Sequence, residues 1–351
     1  MKDRNEIHEE MLTNVSDDYD KTVGTFIYDA TKPAAIEFEN AYSELNKVES
    51  KLSIENLSDD ELEQRINERT GIERKPSTNA IGYITVEGNG QISNGDLFET
   101  DSGVQFESTQ TKTINGSDIV NIRSIEPGEV GNVPSNQITL VPVTIAGITS
   151  VNNPNPTADG FEAESDTELL ERYYDKIQTP STSGNKAHYI NWAREVSGVG
   201  DARVFPLWNG DNTVKVMVID SNMHPASQNI IDEVQQYIDP DVTGMGEGQA
   251  PIGAFATIDT ATAIEVNIQF SVTTEVGYSE SDVVESVSNS ITEYLQQIAF
   301  DEEYVSYAMI GNLVLTSEGV KDYLNLTVNN GLNNISVGET EVAILGGINI
   351  V

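Results

Sequence analysis

The sequence predicts a multidomain α+β protein, and three patterns along the chain support that fold class. Residues 29–75 carry apolar side chains at helical spacing, with charged residues between them. Residues 76–151 carry short alternating apolar runs separated by turn residues, as in a small all-β domain. From residue 199 onward, strand-like and helix-like runs alternate, which indicates C-terminal α+β domains with helices on mixed or antiparallel sheets.

The N-terminal region divides into an acidic arm and a helical segment. Residues 1–28 are acidic and weakly patterned, which predicts an arm that becomes ordered only against another surface. From Pro33 onward, one narrow apolar stripe follows a helix, and it consists of Ala35, Phe38, Tyr42, Leu45 and Leu52. Such a stripe packs either on the chain's own domain or on a partner helix, and its narrowness matches the seam of a helical bundle.

Two further helices have recognisable start signals. Ser58 and Glu61 have the spacing of a capping box, and Gly71 has the position of a C-terminal cap. Ser165 and Glu168 repeat the same box within a linker and helical segment at 152–198. That segment also contains a loop rich in helix breakers at residues 180–184, followed by a short helix.

The β domain at 76–151 is predicted as a sandwich or open barrel. Its strands are separated by turn signals at Asn94-Gly95, Asn115-Gly116 and Pro127-Gly128.

The α+β domain at 199–300 begins with a predicted hairpin around Asn209-Gly210. Pro225 is predicted to open the next helix. One long strand at 261–276 and a helix at about 281–298 follow. The segment 301–351 adds a helix and strands, and its last residues, VAILGGINIV, are too apolar to remain in water. We expect them to be buried in the chain's own sheet or against a neighbouring copy.

Composition excludes several classes of function. The chain has 19 Lys and Arg against 57 Asp and Glu, a net charge of -38, which repels phosphate backbones and anionic membrane surfaces. It has no cysteine, so disulfides and thiolate zinc sites are excluded. The N-terminus shows no signal peptide, and no apolar run reaches the length of a membrane span. We therefore expect a protein made in a cytoplasm.

No motif supplies a catalytic, metal or cofactor site. The three histidines, His8, His188 and His224, are far apart and lack metal-ligand spacing. The run that begins at Asp239 resembles a calcium loop, but Ala250 stands where the bidentate glutamate belongs. The glycines at 244–248 lack the lysine of a phosphate-binding loop. The acidic cluster at 159–166 more simply charges a helix N-terminus.

Most of the chain resembles the baseplate J-like proteins, which are wedge components of contractile phage tails and related injection devices. No single segment is specific, but their order and spacing together are. The similar segments are DKTVGTFIYDATKPAAIEFENAYSEL at 20–45, RTGIERKPSTNAIGYITVEG at 69–88, GDLFETDSGVQFEST at 95–109, EPGEVGNVPSNQIT at 126–139, residues 147–173, and residues 178–220 with their VFPLWNG and VKVMVIDSN runs.

The resemblance implies a structural protein without catalytic residues, metal or cofactor. It implies an inner wedge protein, assembled in the host cytoplasm and carried in the virion. Two copies would associate with a smaller helical wedge partner. Neighbouring wedges would join around the baseplate hub and signal to the sheath. On this interpretation the stripe from Ala35 to Leu52 is the partner interface.

Two other functions stay open at this stage. The first is a carbohydrate-binding or lytic tail component, which low aromatic content and the lack of a hydrolase motif disfavour. The second is a cytoplasmic scaffold unrelated to phage.

Overall fold

The computed structural model describes residues 2–178 and 184–351. Their helices and strands confirm the predicted α+β fold class. The chain divides into two compact units. The first contains the residues up to Arg74 together with Ser165–Asp175, and the second contains Lys75–Glu164 and the chain from Lys176 onward. The loop predicted at 180–184 falls, apart from Gly184, outside the described residues.

The first unit is helical. Its helices are α1 (Arg4–Thr13), α2 (Phe26–Ser50), α3 (Asp59–Thr70) and most of α4 (Asp166–Gln178). Residues of α3 and α4 share an apolar core with the loops around them, formed by Ile54, Leu57, Leu62, Ile66, Ile72, Leu169 and Tyr173. Helix α1 lies in the range predicted as an acidic arm, so the arm is ordered against the chain's own α2.

The start of α3 differs from the prediction. Ser58 is the N-cap residue, but its side chain makes no capping hydrogen bond. The amide of Asp59 instead donates to the carboxylate of Asp166 at 3.0 Å. That bond, and then the Arg74 guanidinium, hold the pKa of the Asp166 carboxyl below its usual value. The predicted box at α4 is confirmed, because the Ser165 hydroxyl accepts from the amide of Glu168 at 3.3 Å and the Glu168 carboxylate accepts from the amide of Ser165 at 2.7 Å.

The second unit begins with a six-stranded antiparallel sheet. Its strands are β1 (Ile81–Ile92), β2 (Leu97–Thr100), β3 (Gln105–Ser108), β4 (Lys112–Ser124), β5 (Ile138–Leu140) and β6 (Ile148–Asn152). They lie in the order β5-β2-β3-β4-β1-β6. Alternate side chains of these strands are buried in one core, with Ile84, Phe98, Phe106, Val120 and Ile138 fully inside.

The turn predicted at Asn115-Gly116 is wrong, because both residues lie within β4. Gly116 pairs with Gly88 of β1 and adopts a left-handed φ of 86°, so the strand bends there instead of ending. A Cβ on Gly88 would lie 2.1 Å from the carbonyl oxygen of Gly147. Gly88 therefore marks a close approach of β1 to the start of β6, and Gly116 lies opposite it within the ladder rather than in a hairpin turn.

The central part of the second unit is a three-stranded sheet with two helices. Its elements are α5 (Lys186–Glu195), β7 (Val199–Pro206), β8 (Thr213–Asp220), α6 (Gln228–Ile238) and β9 (Phe255–Thr260). Strands β7 and β8 form the predicted hairpin, and β9 pairs parallel to β8. Pro225 does not open α6, because Ser227 caps that helix by accepting the amide of Ile230.

The C-terminal part adds a second three-stranded sheet. Its elements are β10 (Thr262–Thr274), α7 (Glu280–Gln297), β11 (Tyr304–Val305), α8 (Tyr307–Thr316), β12 (Val320–Val328), β13 (Ile335–Ser336) and β14 (Glu341–Ile350). The sheet order is β12-β10-β14, with β14 parallel to β10. The apolar C-terminal run is thus a strand of the chain's own sheet, with Val342 1% exposed.

The long strand predicted at 261–276 is confirmed as β10, whereas β9, which ends one residue before Ala261, was not predicted. Ala261 lies in a small apolar cluster with Met217, Phe300 and Val342. This cluster joins the two three-stranded sheets.

Candidate partner interface

Helix α1 covers only the first half of α2. His8 is buried there, with its Nε2 atom 2.9 Å from the Thr31 hydroxyl and 3.1 Å from the Tyr28 carbonyl oxygen. Its ring also meets the ring of Tyr28 edge-on, at 4.6 Å between centroids. The amide of Arg4 donates to the Glu39 carboxylate at 3.1 Å. These contacts fix the hairpin of two helices, and Ala35 is buried within it at 1% exposure.

The second half of α2 is uncovered. Ala35 is the only buried residue of this 25-residue helix. The exposed apolar residues that follow are Phe38 at 50%, Tyr42 at 43%, Leu45 at 61%, Val48 at 63% and Leu52 at 70%. We call these five residues the α2 stripe. Apolar side chains at this spacing form one face of a helix, and a face left in water is a candidate contact surface.

The structure places the predicted interface residues in three settings. Phe38, Tyr42 and Leu45 share the open face of α2. Ala35 contributes to the chain's own packing and is not available to a partner. Leu52 lies in the turn after α2, because the helix ends at Ser50. Sequence reasoning missed Val48, although its distance of three residues from Leu45 is the signal that identifies it.

The margins of the stripe are mainly acidic. Glu37, Glu44 and Glu49 are exposed around it, and the Lys47 ammonium is paired with Glu44 at 2.7 Å. This arrangement provides apolar contact area with a negative rim.

The residues that the sequence offered as candidates for catalysis or metal binding have structural roles instead. His188 stacks on Trp192 with 3.9 Å between ring centroids. Asp239, the first residue of the calcium-like run, is buried, and its carboxylate accepts the amides of Gly244 and Ala256 at 3.2 and 3.0 Å. Across residues 2–178 and 184–351, no three or more His, Cys, Asp and Glu side chains form a group that could hold a metal ion. Within the same ranges, no helix is long and apolar enough to cross a membrane.

Three family models match successive parts of the chain. They are the baseplate J-like barrel domain at 83–160, the baseplate J-like central domain at 181–260 and the baseplate J-like C-terminal domain at 266–351. Together they span more than half of the sequence. The chain belongs to the baseplate J-like family. It is therefore a structural component of a phage-type baseplate.

Two relatives of this baseplate J-like protein match almost its full length, and a third matches about two thirds of it. Protein YqbT of Bacillus subtilis is 36% identical over 98% of this chain and 96% of its own length. Phage-like element PBSX protein XkdT, from the same organism, is 34% identical with the same coverage. Baseplate protein gp47 of Escherichia phage Mu is 30% identical over 63% of each chain.

One solved structure, of the anti-feeding prophage baseplate, aligns with this baseplate J-like chain at 11% identity. The alignment covers 98% of this chain and 90% of that one, with a TM-score of 0.37.

In this baseplate J-like protein, two half-buried aspartates, Asp159 and Asp220, lie where the barrel meets the central domain. The Asp159 carboxylate accepts from the Ser227 hydroxyl at 2.8 Å, and burial raises its pKa. Burial also raises the pKa of Asp220 to about 6, although its carboxylate accepts the amides of Asn222 and His224. The negative charge of Asp159 adds to that rise.

The raised pKa of Asp220 makes the free energy of unfolding of this protein depend on pH. Its folded pKa lies above the ordinary value of 3.8, so its stabilising contribution is full below that value and is lost as pH rises through about 6. Asp220→Asn keeps the oxygen that accepts the two amides. We expect the variant to gain about 1 kcal/mol over the parent protein between pH 5 and pH 8. Urea unfolding at both pH values measures this, and a difference independent of pH would contradict it.

Proposed function

We propose that this protein is an inner wedge component of a contractile phage-tail baseplate. In this role it forms part of a ring around the hub and couples triggering to sheath contraction. The observation that carries the proposal is the α2 stripe, an uncovered bundle seam in a member of a baseplate family. The proposed site is the virion tail, with assembly in the host cytoplasm.

The length of α2 supports a contact with other subunits. A helix of 25 residues spans about 37 Å, yet the apolar side chains Tyr42, Leu45 and Val48 of its second half are exposed. Isolated helices owe little stability to their own hydrogen bonds and depend on packing of an apolar face. We assign that packing to helices of a second copy and of a smaller helical wedge partner. The open residues Phe38, Tyr42 and Leu45 are its centre.

The remaining partners follow from the same proposal. Neighbouring wedges and the hub and sheath proteins would contact the other surfaces of the chain. A net charge of -38 opposes direct contact with nucleic acid or an anionic membrane.

The sugar-binding alternative receives little support from the aromatic residues. Trp192 is buried. Trp208 lies in the turn after β7 and is exposed, but the Lys215 ammonium lies 4.3 Å from its ring centroid and covers one face. A stacking platform for a sugar needs an open aromatic face, and the cation leaves Trp208 only one such face.

A map of the assembled particle tests the wedge proposal. We expect this chain in a ring around the central hub, with α2 in a helical bundle that contains more than one subunit. A map with the chain at the particle periphery, or with the stripe facing solvent, would overturn the proposal.

We also predict that the purified protein has no hydrolase activity, because no catalytic constellation was found in its sequence or in the described residues. The measurement is release of soluble fragments from peptidoglycan and teichoic acid over a boiled-protein control. Turnover that disappears on a single carboxylate substitution would contradict the prediction.

A further inference from the structure

A second uncovered apolar surface lies at one end of the central domain, in the unit that does not contain the stripe. It combines the turn between β7 and β8 with the loop between α6 and β9. Its members, which we call the hairpin–loop patch, are between 39% and 85% exposed. They are Leu207, Trp208, Met245, Ile252 and Phe255.

The turn and the loop meet at Phe255. This residue opens β9 beside Thr213 of β8, and its amide donates to the Asn212 carbonyl at 2.9 Å. The amide of Leu207 donates to the Thr213 carbonyl at 2.7 Å, which places the turn at the same end of the sheet.

The loop presses its backbone directly against these side chains. A Cβ on Gly244 would lie 2.9 Å from the Phe255 ring. A Cβ on Gly246 would lie 2.7 Å from the Ile252 side chain. A side chain at Gly244 or Gly246 would therefore collide with Phe255 or Ile252, which explains two glycines of a run that no phosphate site requires.

The loop is also held in a fixed conformation. Asp239 is 1% exposed, and its two carboxylate oxygens bind the amides of Gly244 and Ala256. Asp241 and Val242 both have left-handed φ values, 57° and 53°. Strain of this kind, on a β-branched residue in particular, persists only where the surrounding structure enforces it, and it concentrates at functional surfaces. The apolar tip is thus preorganised for contact.

The negative charges around the patch favour a basic partner. Asp211, Asp241 and Glu247 are exposed at its rim. The Lys215 ammonium is already engaged, because it lies over the Trp208 ring and 2.9 Å from the Asp259 carboxylate. The patch therefore presents apolar groups within a negative border.

We propose that the hairpin–loop patch docks an apolar segment flanked by Lys or Arg, carried by a different subunit of the baseplate. The same patch on a second copy is the wrong occupant, since the exposed carboxylates of Asp211, Asp241 and Glu247 would then face their own counterparts. The proposal rests on the proposed function only in placing the partner within the same particle. It concerns a surface separate from the α2 stripe.

Site-specific cross-linking tests the proposal. A photoreactive phenylalanine analogue replaces Met245 or Ile252 in the full chain, which is then assembled with the complete set of baseplate proteins and purified as particles. We expect a cross-link to a basic, apolar segment of a different subunit. The matched control position is Leu324, exposed at 65% on β12, which should not give that product. Cross-links only to a second copy, only to an acidic segment, or to nothing would overturn the proposal.

A double variant, Met245→Ser with Ile252→Ser, provides an independent measurement. Both side chains are exposed, so thermal unfolding and the complex made through the α2 stripe should not change. Incorporation of the cross-linked partner should fall at least tenfold. Full incorporation of the partner with the double variant would overturn the docking site and leave the wedge proposal intact. If the parent protein itself did not enter particles, both proposals would be overturned.

Discussion

Replacing both Phe38 and Leu45 with aspartate is expected to abolish association of this chain with its wedge partners. The two side chains are 50% and 61% exposed, so the isolated protein should fold normally. In the bundle, the same positions would place two carboxylates in an apolar seam without counter-charges. Burying an unpaired charge costs several kcal/mol, so we expect at least a hundredfold loss of affinity, or about 3 kcal/mol.

The measurement is size-exclusion chromatography with light scattering after co-expression with the partner proteins. Circular dichroism and thermal unfolding of the variant alone establish that its fold is retained. The matched control carries aspartate at Val276 and Leu324, which are apolar and even more exposed but lie far from α2 in sequence and in the other unit. Normal complex formation by the double variant would refute the assignment of the stripe.

Deleting residues 342–351 is expected to unfold the C-terminal sheet. The strand β14 pairs with β10 along its length, and Val342 and Ala343 lie in buried clusters. Removal leaves the β10 backbone unpaired on one side and opens the core beneath α7. We expect a loss on the order of 5 kcal/mol, comparable with the whole stability of a domain.

Soluble yield and the cooperativity of urea unfolding measure this effect. Deletion of Val351 alone, which is 60% exposed, is the control and should change little. The sequence left a second outcome open, in which the C-terminal run forms a contact between copies. That outcome requires a truncated protein that is folded and binds its partners but does not close a ring.

Local patterns predicted the elements that depend on local interactions. The spacing of Phe38, Tyr42 and Leu45 identified the open face of α2, and Asn209-Gly210 marked a hairpin. The helical stripe was predicted from Pro33 onward, and proline is normal in the first turn of a helix. In the structure Pro33 lies inside α2, which begins at Phe26. Composition predicted an arm without order of its own, since the few contacts that hold α1, among them those of buried Ile7 and His8, have no periodic signal.

The features that the sequence did not predict depend on contacts between residues far apart in the chain. Nothing local shows that β9 lies parallel to β8, or that Gly116 pairs with Gly88 instead of forming a turn. The burial of Ala35 likewise depends on the position of α1, which the stripe alone does not reveal. The hairpin–loop patch was not predicted because its two parts are about forty residues apart and meet only through the start of β9.

The parallel pairing of β10 with β14 has a consequence for the order of folding. Thr262 pairs with Glu341, which is about eighty residues later in the chain, so this edge of the sheet forms only after β14 has been synthesised. The α1–α2 hairpin, in contrast, closes within the first fifty residues. A chain emerging from the ribosome therefore presents the α2 stripe to partners while its last sheet is still unformed. We expect subunit recruitment through α2 to begin during synthesis, with the C-terminal domain as the slow step in maturation.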